Sequence, residues 1–272
     1  MRSPKGSFGL IVITLLVLIA LSAPLITPYN PLELNLNAKL QGPTLAHLFG
    51  TDELGRDILS RVIFGSRISL EIGLFSVSLA AVVGVTTGLV GGYMGGIFDG
   101  IMMRIWDTLL AFPGIFLAIG LVSIFGPGPT ATIFAVALTS MPTFARLTRS
   151  IAISTKEMDF VEGERALGAS NFGIIFRTIL PNCLTPAIVN MAIAAPSAIL
   201  LEATLSFLGL GSQPPNPSWG NMLQTAEVYI FQTPTYGIFP GLALTLVVLG
   251  MNFFADGLQD ALDPRRTRSR RG

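Results

Sequence analysis

Residues 159–182 read DFVEGERALGASNFGIIFRTILPN, a run that opens with closely spaced charges, turns apolar and ends in Leu-Pro-Asn. Gly168 interrupts the charged part, and glycine allows a sharp backbone turn. Ser170 follows at a position suited to capping the next helix. The stretch therefore predicts two short helices at an angle to each other, and we expect Leu180-Pro181 to end the second one.

Long apolar runs lie on both sides of this stretch. Of the 272 residues, 51% are hydrophobic and 12% are charged, and the mean hydropathy is +0.66. An apolar helix of about 20 residues crosses a bilayer core of roughly 30 Å. The runs lie at about residues 8–26, 69–93, 105–124, 130–145, 187–209 and 236–254. This composition is too apolar for an ordinary soluble domain, and the pattern predicts an all-α membrane protein with about six transmembrane helices.

The first run has two interpretations. Arg2 and Lys5 resemble the basic start of a cleaved signal peptide. The apolar run of residues 8–26 is longer than a typical signal core, and SAPLITPYNP is a poor cleavage site. We therefore expect an uncleaved first span.

The distribution of cations predicts the orientation in the membrane. With both termini in the cytoplasm, 13 of the 17 lysines and arginines lie in cytoplasmic segments. The four others are Lys39, Arg56, Arg61 and Arg67. Cytoplasmic loops carry an excess of such residues, so the sequence predicts a multi-pass protein of the cell membrane with cytoplasmic N- and C-termini. A basic tail at residues 258–272 is typical of a membrane-surface anchor.

The second apolar run carries a glycine repeat. Gly84, Gly88, Gly92 and Gly96 recur every four residues and share one helical face. Such a face lets another helix approach closely. We expect these glycines to serve helix packing.

The segment between the first two spans is predicted to lie outside the cytoplasm. Ile58, Val62 and Ile63 form the apolar face of an expected amphipathic helix along the membrane surface. On the other face, charged side chains are expected to form a structural ion-pair cluster: Asp52, Arg56, Asp57 and Arg61. The sequence thus divides into residues 1–67 with the first span, a core at 68–257 and the tail at 258–272.

Several kinds of catalytic site are excluded by the residues available. None of Lys5, Lys39 and Lys156 lies in a nucleotide-binding Gly-x-x-x-x-Gly-Lys-Ser/Thr loop. His47 is the single histidine and Cys183 the single cysteine, which argues against a Cys/His metal cluster. A net charge of +1 gives no field for nucleic acid. We expect a protein that is not an enzyme.

Two polar features have more than one interpretation. Glu202 lies within AILLEATLSFLGLG, where an unpaired carboxylate is costly; it is either a polar contact on a substrate path or gate, or a helix-to-helix hydrogen bond. Residues 211–234 are rich in proline, with Trp219 and Tyr229 suited to a water–lipid boundary. This segment is either a lid or docking surface or a plain interfacial loop.

The loop at residues 155–181 resembles the EAA loop of ATP-binding-cassette importer permeases. Glu162, Gly168 and Leu180-Pro181 match that motif, whereas Gly163 and Glu164 stand where two alanines are usual. Three segments, residues 49–70, 162–182 and 201–223, are similar to the second permease subunit of dipeptide, oligopeptide and nickel importers. The resemblance covers nearly the whole chain and implies the type I importer permease fold.

The resemblance also implies partners and roles. A similar second permease would complete the pathway, two ATPase subunits would bind ATP and dock on the loop, and an extracytoplasmic binding protein would deliver the substrate. The chain itself would need no cofactor. The residues implied in coupling are Glu162, Gly163, Glu164, Ala166, Leu167, Gly168, Leu180 and Pro181.

Two other functions remain open from the residues alone. A self-sufficient channel or ion-driven transporter predicts uptake without ATPase subunits. A membrane scaffold predicts that replacing Glu162 and Gly168 changes neither coupling nor uptake.

Overall fold

The computed structural model describes residues 4–262, and helices make up most of them. A 3₁₀ turn at Leu36–Ala38 and a π-helical turn at Ile174–Ile179 are added to the α-helices. The α-helices are α1 (Pro4–Ile26), α2 (Ile58–Met94), α3 (Gly96–Leu110), α4 (Gly114–Phe125), α5 (Pro129–Lys156), α6 (Asp159–Ala166), α7 (Asn171–Gly173), α8 (Leu180–Phe207), α9 (Trp219–Tyr229) and α10 (Thr235–Leu262). The predicted all-α class is confirmed.

The long helices run between two ends of a bundle. One end, which we call the loop end, contains residues 155–181. The end of α2 also lies there, and the Tyr93 hydroxyl donates a hydrogen bond to Asn171 of α7 at 2.7 Å. The start of α1 meets the end of α10 at the same end, and the rings of Phe8 and Phe253 pack edge to face at 5.7 Å. The far end is formed by residues 27–57 and 208–234. The first and last described residues therefore lie at the loop end.

Six helical passages connect the two ends, and their apolar character differs. Four helices are each long and apolar enough to cross a membrane: α1, α2, α8 with its preceding turns, and α10. The pair α3 and α4 forms a fifth candidate. The remaining passage is α5, which is long but more polar than the others. The predicted multi-span fold is confirmed, but within residues 4–262 four or five helices are long and apolar enough to be spans, against the six or so predicted.

The third predicted span is not one helix. Residues 105–124 are divided between α3 and α4, whose axes bend by 96° at the break. Pro113 follows Phe112 at this break, and proline both lacks an amide donor and disfavours helical geometry in the residue before it. The predicted span is broken because the Phe-Pro-Gly sequence interrupts the hydrogen-bond ladder.

The glycine face of α2 packs against α5. A Cβ atom at Gly84 would lie 2.6 Å from the carbonyl oxygen of Met141, and one at Gly92 would lie 2.8 Å from that of Arg149. Gly88 is equally close to the backbone of Ala145. The two helix backbones touch, so each of these positions requires glycine. For Gly96 the packing prediction is wrong, because α2 ends at Met94 and Gly96 (φ +63°) starts α3 with no described neighbour around it.

The predicted surface helix of residues 58–67 is the first part of α2. Asp57 caps α2 by accepting a hydrogen bond from the Ser60 amide at 2.8 Å. At 1.5 Å per residue the 37 residues of α2 span about 55 Å, more than a bilayer core. The separate helix was a wrong prediction, since nothing breaks α2 near residue 67. The arginines of the predicted tail lie outside the described residues.

Candidate functional site

The loop-end junction, residues 155–181, contains a short helix and a sharp turn. Helix α6 has eight residues and follows α5 after a two-residue break. Gly168 has φ +84°, a left-handed conformation that favours glycine. The Ser170 hydroxyl then accepts a hydrogen bond from the Gly173 amide at 3.2 Å and caps α7. The turn at Gly168 and the cap at Ser170 are as the sequence predicts.

One side chain anchors α6 to the bundle. Val161 is fully buried, and it is the one residue of α6 that is. Its cluster joins the end of α2, the end of α5 and the start of the helical segment that continues as α8. The other buried members are Leu89, Tyr93, Ala152, Ile174, Ile175, Ile179 and Cys183. Val161 therefore packs α6 against three long helices at once.

Polar contacts hold the orientation of α6. The Thr178 hydroxyl lies 2.8 and 2.9 Å from the two carboxylate oxygens of Glu164. The guanidinium of Arg165 lies over the Tyr93 ring, 5.6 Å from its centroid. The two contacts tie α6 to the π-helical turn and to α2. Glu164, predicted to contact a partner, thus faces inward to Thr178, because a carboxylate at this position reaches the hydroxyl across the turn.

The opposite face of α6 points away from the bundle. The side chains of Phe160 and Leu167 are 49% and 90% exposed. Glu162, Gly163, Ala166 and Gly168 are also exposed. Asp159 is exposed as well, so this partly apolar surface carries two carboxylates, those of Asp159 and Glu162, and is suited to contact with another protein.

Leu180-Pro181 does not stop the helix as predicted. The chain is helical from residue 171 to residue 207, and α8 begins at Leu180 with Pro181 in its first turn. The preceding turn is π-helical, and the Leu180 amide bonds the carbonyl of Ile175. Proline has no amide donor, and it is tolerated in a first turn where such donors lack helical partners. The prediction was wrong because the widened turn resets the hydrogen-bond ladder before Pro181.

Glu202 lies inside the bundle, on α8. It is fully buried, and its Oε1 atom accepts a hydrogen bond of 2.8 Å from the Ser206 hydroxyl one turn later on α8. Ser69 of α2 is also fully buried and lies next to the carboxyl. Within residues 4–262, Glu202 Oε2 has no hydrogen-bond partner of good geometry. The position fits a contact between α2 and α8 better than a group on an open path.

The predicted ion-pair cluster exists at the far end, but Asp57 is not part of it, because Asp57 caps α2 and contacts His47. Glu53 joins the cluster instead. Asp52 Oδ2 lies 2.6 Å from Nε of Arg56 and 3.3 Å from Nε of Arg61. Glu53 Oε1 takes a second bond from Arg56 at 2.8 Å, and Glu53 Oε2 accepts the Tyr236 hydroxyl at 2.8 Å. We call Asp52, Glu53, Arg56 and Arg61 the far-end cluster. No local sequence pattern indicates Tyr236, which lies far from this cluster in the chain.

Beside this cluster lies a second polar contact that the sequence did not predict. His47 Nδ1 lies 3.0 Å from Asp57 Oδ1, and the imidazole packs on the Tyr29 ring with 4.7 Å between centroids. Asp57 also caps α2. The single histidine therefore holds residues 27–57 against the start of α2.

Trp219 was expected at the water–lipid boundary, but it lies in the core. It is 1% exposed, and its indole nitrogen donates to the Val62 carbonyl at 3.0 Å. It begins α9, whose Ser218–Asn221 capping box follows the proline-rich turn. Apolar packing against α2 outweighs the interfacial preference because the indole finds its hydrogen-bond acceptor inside.

The sequence of the chain matches known families along most of its length. Residues 84–268 match the family described as binding-protein-dependent transport system inner membrane component. Residues 1–43 match the N-terminal TM domain of oligopeptide transport permease C.

Several curated relatives are similar over nearly the whole chain. The dipeptide transport system permease protein DppC of Alkalihalophilus pseudofirmus is 47% identical over 257 residues, 94% of this chain and 84% of that protein. The glutathione transport system permease protein GsiD of Pectobacterium atrosepticum is 45% identical over 258 residues, 94% and 85%. The di/tripeptide transport system permease protein DppC of Pseudomonas aeruginosa is 43% identical over 268 residues, 96% and 88%.

The fold has a solved counterpart. The inward-facing MetNI methionine ABC transporter contains a chain that superposes with a TM-score of 0.58 at 21% identity, covering 76% of this chain and 98% of that one. Members of the matched family are transport components and not enzymes by themselves. The chain belongs to the binding-protein-dependent transport system inner membrane component family, as a permease subunit of an ABC importer with the type I importer permease fold.

Proposed function

We propose that this permease forms half of the translocation pathway of a peptide importer and receives ATP-driven movement through the loop-end junction. The proposal rests on the buried position of the Val161 side chain. This side chain is fully buried among the ends of α2 and α5 and the segment that leads into α8, while the rest of α6 is largely exposed.

The junction is suited to passing a push from another protein into the bundle. Packed interiors transmit strain because they have few voids. A force on α6 reaches Leu89 and Tyr93 of α2 and Ala152 of α5 through Val161. Glu164 and Arg165 fix the orientation of α6, so a push turns into a rigid-body movement of the long helices.

The exposed face of α6 supplies the proposed contact with an ATPase subunit. Leu167 and Phe160 offer apolar area, and Glu162 offers a free carboxylate. The small residues Gly163 and Ala166 leave room for the ATPase subunit to approach α6 closely. The turn at Gly168 directs Leu167 outward. ATP binds to the partner subunits in this proposal, and the chain contributes no nucleotide site.

The loop end is proposed to face the cytoplasm. Exposed or half-exposed cations concentrate there, among them Arg165 and Arg177. At the far end, Arg56 and Arg61 are buried in ion pairs, and Arg67 and Lys39 remain. The positive-inside tendency then assigns the loop end and both termini to the cytoplasm.

The far end is proposed to receive the binding protein and its cargo. The far-end cluster and α9 make that surface stiff, which suits docking of a separate protein. Relatives named as dipeptide, di/tripeptide and glutathione transport permeases support peptides or related small solutes as substrates. A second, similar permease completes the pathway.

The proposal is tested in the assembled transporter. The change is Leu167→Asp, which puts a charge into the proposed apolar contact. We expect the amount of ATPase subunit that copurifies, and the ATP-driven uptake into proteoliposomes, to fall at least about tenfold, since 1.4 kcal/mol of lost contact energy is a factor of ten.

The matched control is Leu45→Asp, because Leu45 is 99% exposed at the far end. It should leave the copurified ATPase unchanged. Equal ATPase retention in both variants would refute the contact. Uptake by the purified permease alone, driven by an ion gradient, would instead support the self-sufficient transporter.

A further inference from the structure

Two adjoining cavities lie along the far-end part of α2, and they share Arg67 and Glu71. The first, of about 450 Å³, is lined by polar and apolar groups that include Asn30 and Asn216. The second, of about 330 Å³, is a trough between α1, α2, α8 and α10, and its other walls are almost wholly apolar. Together they form one elongated groove with a polar head and an apolar tail.

The polar head carries two opposite charges without partners. Arg67 and Glu71 are one helical turn apart and exposed. Within residues 4–262 no ion pair or hydrogen bond involves either side chain, although Arg67 lies 5.8 Å from the Phe64 ring centroid. In the other half-buried and buried clusters of this chain, opposite charges pair with each other. In this groove the guanidinium of Arg67 and the carboxylate of Glu71 lie near each other and remain available to bind a ligand.

The groove lies at the level where a bilayer changes from head groups to chains. Helix α1 has 23 residues, about 34 Å, which matches a bilayer core. Its far end is Ile26, and Asn30 of the polar cavity follows shortly after. The trough extends from Leu21 back to Ile13 on α1, about 12 Å at 1.5 Å per residue. Leu21 and Leu74 on its rim are 72% and 64% exposed, so the trough opens sideways.

We propose that this groove binds an aminophospholipid, a lipid whose head group carries both a phosphate and a primary ammonium. The phosphate lies at Arg67, which suits phosphate recognition. The ammonium lies at Glu71, and one acyl chain fills the trough beside Val17. The paired free charges match a zwitterion, whereas phosphatidylglycerol would place an uncharged glycerol at Glu71 and leave that carboxylate without a cation.

The chemistry of the trough walls disfavours a peptide as the occupant. A peptide would place backbone amides and carbonyls against apolar walls without hydrogen-bond partners, which is costly. A lipid chain has no such polar groups.

The test measures lipid binding by the assembled, delipidated transporter with native mass spectrometry. The probes are phosphatidylethanolamine and phosphatidylglycerol of identical chains. The wild-type protein should bind the ethanolamine lipid at least about fivefold more tightly. Arg67→Gln should weaken binding of both lipids about tenfold, Glu71→Gln should abolish the preference, and Val17→Trp should weaken both by filling the trough.

The matched control is Arg177→Gln, an exposed cation at the loop end, which should change nothing. Equal binding of the two lipids by the wild type, or unchanged binding in all three variants, would overturn the proposal. So would a cross-link from Val17→Cys into another subunit, or displacement of the lipid by a dipeptide. Binding is read separately from ATP-driven uptake, so the result stands apart from the coupling proposal.

Discussion

The far-end cluster and helix α6 use the same charged residue types in opposite ways. At the far end, Asp52, Arg56 and Arg61 are 0%, 6% and 4% exposed and bond to one another. At the loop end, Glu162 and Arg165 are exposed. Buried charges must be paired, and such pairs fix one geometry. The far-end cluster therefore holds one geometry, whereas the exposed charges of α6 stay available for the ATPase contact that we propose.

The largest effect is expected from breaking the far-end cluster. Asp52→Ala leaves Arg56 and Arg61 without the carboxylate that both contact, along with the Leu54 amide. Removing one partner of a buried ion pair costs about 3–5 kcal/mol. Thermal unfolding in detergent should show this loss. Glu33→Gln, an exposed carboxylate of the same segment, is the control. A loss below about 1 kcal/mol in Asp52→Ala would contradict the rigid far end.

The next effect concerns the helix pair that connects the two ends. Gly88→Ala places a methyl group into the backbone of Ala145 on α5, and overpacking of this kind costs about 1–3 kcal/mol. Gly120→Ala makes the same change on α4, where no described atom lies within 4 Å. It should stabilise slightly, by up to about 1 kcal/mol, because alanine favours helix. Chemical unfolding compares the two variants, and equal stabilities would refute the close α2–α5 contact.

A smaller and local effect is expected at the loop end. Thr178→Val removes the hydroxyl that bonds Glu164, a loss of about 1 kcal/mol for one hydrogen bond. The loss should fall on α6 alone. Hydrogen exchange of the α6 amides should become about fivefold faster while global unfolding stays within experimental error. The control is Thr185→Val on the exposed face of α8. Unchanged exchange in α6 would mean that Glu164 does not orient this helix.

The smallest effect is expected at Arg165. Arg165→Gln removes the cation above the Tyr93 ring, and such contacts at exposed sites contribute about 0.5–1 kcal/mol. Stability should fall by no more than this, and uptake about two- to threefold. Arg177→Gln, an exposed arginine in the adjoining turn, serves as the control. If Arg165→Gln cost as much as Asp52→Ala, the contrast between the two ends would be wrong.

Local sequence signals predicted much of this architecture. The apolar runs predicted the long helices, and Gly168 and Ser170 predicted the turn and the cap at the loop end. The spacing of Asp52, Arg56 and Arg61 predicted the ion pairs of the far-end cluster. These features depend on residues close together in the chain. Local rules are sufficient in such cases.

The wrong predictions involve distant contacts or competing local effects. Trp219 is buried because α2 offers an acceptor at Val62, which no local pattern reveals. The bond between Glu164 and Thr178 in the π-helical turn is another distant contact that the sequence did not reveal. That turn also admits Pro181 without ending the helix. The same proline or tryptophan is thus compatible with several local structures, and tertiary packing determines which of them forms.

The most direct test of the coupling account is a cross-linking experiment on the assembled transporter in membranes. Cys183, the single cysteine, is replaced by alanine, and Leu167→Cys and Leu45→Cys are made separately in that background. A bifunctional thiol reagent should link position 167 to the ATPase subunit, with a yield that changes when ATP is added, and should never link position 45 to it. The account is contradicted if position 167 reacts with a membrane-impermeant reagent from outside the cell, or if it forms no link to the ATPase subunit in any nucleotide state.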